Sequence, residues 1–146
     1  MINLESRNVL IIGGGHVASR RAETLLRCGA AVKAVSPDFI DSFPVNAEKI
    51  RREFMKSDIN NDFALIFAAS NKREVNHEVC ELARNLNIPV NVCDSRIECD
   101  FFFPSLINQG CIAASVSSAG TSSRLTHKLS NRLREVWSLW INEILR

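Results

Sequence analysis

Short unbroken apolar runs alternate along the chain with longer stretches in which apolar residues recur every three or four positions. Asn8-Val9-Leu10-Ile11-Ile12 is an apolar, β-branched run that ends in three glycines. Such a run reads as a strand buried on both faces of a parallel sheet. From Val17 the period lengthens. Ala18, Ala22, Leu25 and Leu26 share a helical face, and Gly29 supplies a stop. A second strand is predicted over Ala31 to Val35, closed by Ser36-Pro37, and a weaker, polar strand over Lys49 to Phe54 suits a sheet edge. Phe63 to Ala68 is the next buried strand. Residues 72–86 form a helix on Val75, Val79, Leu82, Ala83 and Leu86, and Ile88 to Cys93 form another strand. The order β-α-β-β-β-α-β predicts an α/β fold with a Rossmann-like, mostly parallel sheet.

After Asp94 the pattern changes. Phe101-Phe102-Phe103-Pro104 is a dense apolar knot, Cys111 to Ser117 reads as a last strand, and Thr121 onward reads as one long helix. On that helix Leu125, Leu129, Leu133, Val136, Trp140 and Ile144 share a face. The expected division is a dinucleotide-binding domain over 1–104 and a small unit of strand and long helix over 105–146. Two tryptophans, Trp137 and Trp140, near the end of the sequence point to burial against a partner, with packing back on the same domain as the alternative, and a homodimer is expected from this segment.

Composition changes this picture little. The chain has 146 residues, enough for one full domain and a small appendage. Apolar residues make up 46% and charged residues 23%, as in ordinary globular proteins. No apolar run is long enough to span a bilayer and no export signal precedes the first strand, so a cytoplasmic protein without membrane association is expected. A net charge of +2 is too small to argue for nucleic acid. Cys28, Cys80, Cys93, Cys99 and Cys111 form no CxxC pair and read as small buried apolar residues. His16, His77 and His127 share no ligand spacing, so no metal ligands are assigned.

The strongest local signal is Gly13-Gly14-Gly15-His16-Val17-Ala18. It contains the dinucleotide fingerprint G-x-G-x-x-A, placed after an apolar strand and at the start of a helix. Gly13 turns the chain from strand to helix. Gly15 leaves the backbone open to a pyrophosphate, which the N-terminus of the helix attracts. Ala18 lets helix and strand pack closely. At the ribose end the second strand offers Ser36 and Asp38, and Val35 to Ser42 holds no arginine for a 2′-phosphate. NAD is favoured over NADP on those residues.

Downstream residues carry a more specific likeness. The glycine loop is followed by Phe67-Ala68-Ala69-Ser70-Asn71 with Asn76, by Asn91-Val92-Cys93-Asp94, by Phe101-Phe102-Phe103-Pro104-Ser105, and by Ser115 to Ser123. With this order and spacing, residues 4–134 resemble the precorrin-2 dehydrogenase and sirohydrochlorin ferrochelatase family, the NAD-binding module of siroheme synthases. The resemblance implies oxidation of precorrin-2 to sirohydrochlorin with NAD⁺, and in some members insertion of Fe²⁺ as a second substrate. It also implies Ala69 and Ser70 beside the cofactor and Asp94 as the catalytic carboxylate. Ala119 and Ser123 depart from the family's glycine and proline.

The residues agree with those implications in kind. Asp94 ends a strand on the side of the sheet that carries the glycine loop, where open α/β sheets place their sites. Dehydrogenation removes a hydride, which the cofactor takes, and a proton, which a carboxylate can take. Asp100 is the rival carboxylate, and a capping role is the plainer alternative for Asp94. A polycarboxylate tetrapyrrole needs donors and cations. Candidates are Ser117, Ser118 and Thr121 at a helix N-terminus, with Arg124, Lys128 and Arg132 striped along that helix. A solvated helix face is the plainer reading of that stripe. The alternative function is a regulatory module that senses NAD without catalysis. Such a module needs neither Asp94 nor the Ser117 to Ser123 loop.

Overall fold

In the computed structural model, which describes residues 3–109 and 112–144, the apolar runs become strands buried along their length. β1 (Asn8–Ile12) exposes only its first residue. It pairs in parallel with β2 (Ala31–Ser36) on one side and β4 (Leu65–Ala68) on the other. β3 (Glu48–Arg51) pairs with β2, and β5 (Val90–Val92) with β4, which gives a parallel five-stranded sheet of order β3-β2-β1-β4-β5. The polar run therefore lies at the edge, where only Ile50 of the strand is half-buried against the core. Sequence reversal of strand order occurs at β1, between its two neighbours β2 and β4, which is where such sheets open a crevice.

Helices α1 (His16–Arg27) and α2 (Arg73–Asn85) connect β1 to β2 and β4 to β5. Ala18, Ala22 and Leu25 of α1 are fully buried. Val79, Cys80 and Ala83 of α2 join Leu10, Ile12, Ile66, Val90 and Val92 in one core cluster. Successive strand residues point to opposite faces, so Val9 and Ile11 serve the other face. Each Leu or Ile buried in this way contributes about 1.5–3 kcal/mol.

The chain divides into two compact units, Met1–Phe101 and Phe102–Arg146. The second contains β6 (Ser105–Gln109), β7 (Ile112–Val116) and α3 (Ser123–Ile144). β6 was not expected from the sequence. It pairs antiparallel with β7, from Ser105 opposite Val116 to Gln109 opposite Ile112. Cys111, the expected start of the last strand, lies outside the described residues. Arg134 of α3 donates to the Ser105 hydroxyl at 2.9 Å and to the Leu106 carbonyl at 3.2 Å, tying helix to hairpin.

The burial on α3 differs from expectation. Ser130 and Ile141 are its buried residues among those described. The expected face is largely open in the single chain: Leu125, Leu129, Trp140 and Ile144 are 52%, 48%, 51% and 78% exposed. The helical period was right, but the buried side lies beside the expected face and carries Ser130 as well as Ile141. Among the described residues no helix is long and apolar enough to cross a membrane.

Candidate functional site: a dinucleotide cleft and a tethered carboxylate

The glycine turn is shaped by a close approach of two strand ends. Gly13 has φ +133°, which L side chains rarely adopt, and a Cβ built there would lie 2.3 Å from the Ala69 carbonyl oxygen. The amide of Ala69 donates to Ile12 O at 2.8 Å, and that of Gly13 to Val35 O at 2.9 Å, so the loops after β1, β2 and β4 are joined at the sheet edge. Gly15 is different. Its backbone is extended (φ −84°, ψ −172°) and nothing stands within 4 Å of the place its Cβ would take. Neither conformation nor packing requires glycine there. What remains is open space at the N-terminus of a 12-residue helix whose first residue has no side-chain cap. Free N–H groups and a helix dipole facing such space suit a phosphate. The residues present thus fit a dinucleotide.

A cavity of about 530 Å³ lies over this edge. It is lined by Gly13, Gly14, Gly15, His16 and Val17, by Ser36 and Asp38 after β2, and by Ala69 and Ser70 after β4. Nine of the ten residues expected at the cofactor therefore stand on one cavity. The tenth, Ala18, is fully buried behind the first turn, where it brings α1 close to the sheet. Sequence reasoning missed several other lining residues, among them Phe39, Phe54, Asn71, Lys72 and Val75. Lys72 and Glu53, also in the lining, form an ion pair at 3.0 Å. They lie 19 positions apart, and no local pattern joins them. Arg51 was also missed. The pairing of β2 with β3 sets it opposite Ser36, and its guanidinium stands 5.5 Å from the centre of the Phe39 ring. The segment Val35 to Ser42 lacks arginine, but the sheet supplies one from the neighbouring strand.

Asp94 follows β5 at the same strand-end edge and is not part of the cavity lining. Its Oδ1 accepts from Arg73 at 3.3 Å and its Oδ2 from the Asn76 amide at 2.9 Å. Both partners are side chains of α2, so it is not a backbone cap in these contacts. A carboxylate has about four acceptor sites. Two are used here, and the side chain is 37% exposed. Asp100, the rival, is otherwise engaged: Oδ2 accepts the backbone N–H of Val90 at 3.0 Å and Oδ1 accepts from Arg84 at 3.2 Å. It pins β5 to the following loop.

That loop is held by further polar contacts. Glu98 accepts from Arg73 at 2.5 Å and faces His77 Nδ1 at 2.8 Å. Chiefly the Arg73 guanidinium, and then His77, hold its carboxyl down to about 2, against a desolvation that opposes them. Cys99 receives the Val92 N–H at 3.3 Å and lies 3.2 Å from Val92 O, and burial pushes its thiol up. Cys80 is buried and its thiol is also pushed up by desolvation. Cys93 is exposed, unlike the buried role expected for it. Among the described residues no three His, Cys, Asp or Glu side chains are grouped to hold a metal ion.

The residues expected at the substrate belong to the second unit. Ser118 is spent within its own turn. Its hydroxyl donates to Ser122 O at 3.0 Å and accepts from Ser122 N at 3.0 Å and Thr126 Oγ1 at 2.9 Å. Ser122 then caps α3 by accepting the Leu125 N–H at 3.2 Å. Ser117 accepts the Ala119 N–H at 3.1 Å. Thr121, Arg124 and Lys128 are exposed. Arg132 pairs with Glu135 at 2.6 Å.

The chain is 37% identical over 142 residues to a siroheme synthase of Nitrosomonas eutropha, covering 90% of this chain and 29% of that protein. It is 38% identical over 136 residues to a siroheme synthase of Neisseria meningitidis serogroup C, covering 90% and 28%. The chain thus spans under a third of the length of these relatives. Among solved structures, SirC, a precorrin-2 dehydrogenase, superposes with a TM-score of 0.76 at 26% identity, over 92% of this chain and 68% of that one. A family model described as "Putative NAD(P)-binding" matches residues 1–105. With its glycine turn, its parallel sheet and this match over residues 1–105, the chain belongs to that NAD(P)-binding family.

Proposed function

We propose that the chain oxidises precorrin-2 to sirohydrochlorin with NAD⁺ as acceptor. One observation carries the reading beyond cofactor binding: a half-open carboxylate, Asp94, stands at the cleft's edge of the sheet and is linked through the Asn76 side-chain amide to Ser70 of the cleft. A non-catalytic sensor of NAD has no use for it. The similarity to a precorrin-2 dehydrogenase supports the substrate.

The cofactor, when bound, accepts a hydride from the substrate. The chain's residues do the rest. Gly13 to Val17 and the first turn of α1 hold the pyrophosphate, Ser36 and Asp38 the ribose, and Ala69 and Ser70 border the cleft. Asp94 takes the proton released as the substrate is oxidised. Ser117, Thr121, Arg124 and Lys128 offer a hydroxyl-rich turn and a cationic helix face for the substrate's carboxylates. Asp38 favours NAD⁺ over NADP⁺. Arg51 on Phe39 is the group that would favour the 2′-phosphate, so both cofactors belong in the binding measurement. Insertion of Fe²⁺ into sirohydrochlorin is a second activity compatible with one carboxylate receiving protons. The working unit is a homodimer built on the open face of α3.

The test is anaerobic single-turnover oxidation of precorrin-2, followed by visible spectroscopy with and without Fe²⁺. Wild type forms sirohydrochlorin. Asp94→Ala and Asp94→Asn bind NAD⁺ as wild type does and slow the oxidation by about 10²–10⁴-fold. A wild-type rate in Asp94→Asn would remove the base role, because an amide keeps the shape and cannot take the proton.

A further inference from the structure

Asn76 lies on α2 with no exposed surface. A buried amide must find partners for two N–H donors and a carbonyl oxygen. Here every one is placed. Oδ1 accepts the Ser70 N–H at 2.9 Å. Nδ2 donates to Ser70 O at 2.9 Å and to Asp94 Oδ2 at 2.9 Å. The partners also fix which end of the amide is which, since an N–H can only donate and a carboxylate only accept. One buried side chain thus grips both backbone groups of a cleft residue and one oxygen of the carboxylate beyond the next strand.

Such a bridge is needed because the ladder ends too early. β4 and β5 pair from Ile66 opposite Val90 to Ala68 opposite Val92. Ser70 and Asp94 lie two residues past each end, where little of the sheet sets their spacing. Arg73 is a poorer tether. Its side chain is 46% exposed and is shared between Asp94 and Glu98.

We infer that Asn76 is a positioning residue for the oxidation, holding the Asp94 carboxylate in register with the cleft loop at Ser70. The inference rests on the reading of Asp94 as the base. Groups facing Asp94 are Arg73 of α2, with Glu98 and His77 behind it, and the preceding Cys93, which Arg21 of α1 adjoins. None of them spans to Ser70 in the contacts described.

The test compares Asn76→Ser, Asn76→Asp, Asp94→Ala and the double variant Asn76→Ser/Asp94→Ala, with NAD⁺ affinity measured for each. Asn76→Ser is too short to reach Asp94. It is expected to lower kcat about 10–100-fold, part of the about 10²–10⁴-fold that a placed base contributes. Its NAD⁺ affinity stays within about threefold of wild type, since the phosphate cradle is untouched. In the Asp94→Ala background the same substitution costs nothing further, as expected for two residues acting as one unit. Asn76→Asp is isosteric and keeps the acceptor for Ser70 N–H, and the NAD⁺ affinity of each variant reports whether it has folded. Two facing carboxylates oppose each other's ionisation, so the acid limb of its rate profile moves to higher pH. Multiplied losses in the double variant, or a loss in Asn76→Asp that is the same at every pH, would overturn the inference. So would a wild-type kcat in Asn76→Ser while Asp94→Ala is slow, and that result leaves the base role standing. A wild-type rate in Asp94→Ala overturns both.

Discussion

At Gly15 the fold does not need the absence of a side chain, whereas the proposed cofactor does. Its backbone is extended and the space beside it is open. Gly15→Asp is therefore expected to fold with a melting temperature near wild type and to lose NAD⁺ binding, because the new carboxylate occupies the place of the pyrophosphate. Calorimetric titration with NAD⁺ checks this, and unchanged affinity would remove the cradle from the cofactor site. Ala119 is the opposite case. It sits at φ 49°, in the left-handed region, beside Gly120 at φ 73°. A non-glycine residue there costs roughly 1–2 kcal/mol, partly offset by its smaller entropy loss on folding. Ala119→Gly should raise stability by about 0.5–1 kcal/mol in denaturant unfolding. A decrease would mean that the turn gains more from the Ala119 side chain than from relaxed backbone.

At the scale of elements, α2 and the loop after β5 are joined by charge. Arg73 and His77 on α2 hold Glu98, whose carboxyl falls from its ordinary 4.5 to about 2. A depressed folded pKa means that the unfolded chain takes up the proton first as pH falls. The pair's contribution is thus complete above about pH 4.5 and is lost between there and about pH 2. Asp58, lowered mainly by its hydrogen bonds with Arg52, acts in the same sense. Urea unfolding of wild type and Glu98→Gln over that range should show a shallower loss of stability in the variant. Equal slopes would show that the loop's ion pairs contribute no linkage. The same loop carries Asp94, so its order bears on the site.

At the scale of the molecule, the second unit leaves Leu125, Leu129, Trp140 and Ile144 open along one helix. A stripe of that kind is covered most economically by a copy of itself around a two-fold axis. Light scattering is expected to give twice the chain mass, independent of concentration in the micromolar range. Leu129→Glu with Trp140→Glu is expected to give the chain mass while NAD⁺ binding persists, since the cavity residues all lie before position 76. A monomeric wild type would remove the dimer from the proposed function.

Much of this protein is local. Apolar runs of four to six residues and helices of period 3.6 follow from side-chain chemistry within a few positions, and so do the order of elements in residues 8–92 and the glycine turn at their head. Asp94 was legible as a strand-end carboxylate. Four things required the tertiary structure, because each depends on residues brought together across many positions. β6 is a half-polar strand that becomes recognisable only beside β7. On α3 the period alone does not say which side is buried, and the fold buries the side of Ser130 and Ile141. Pairing of β3 with β2 sets Arg51 beside Ser36 and Phe39, and the fold of α2 against β4 and β5 sets Asn76 between Ser70 and Asp94. A sequence pattern can mark a residue as polar and buried. Which two loops its amide joins is decided by the packing of the helix on the sheet.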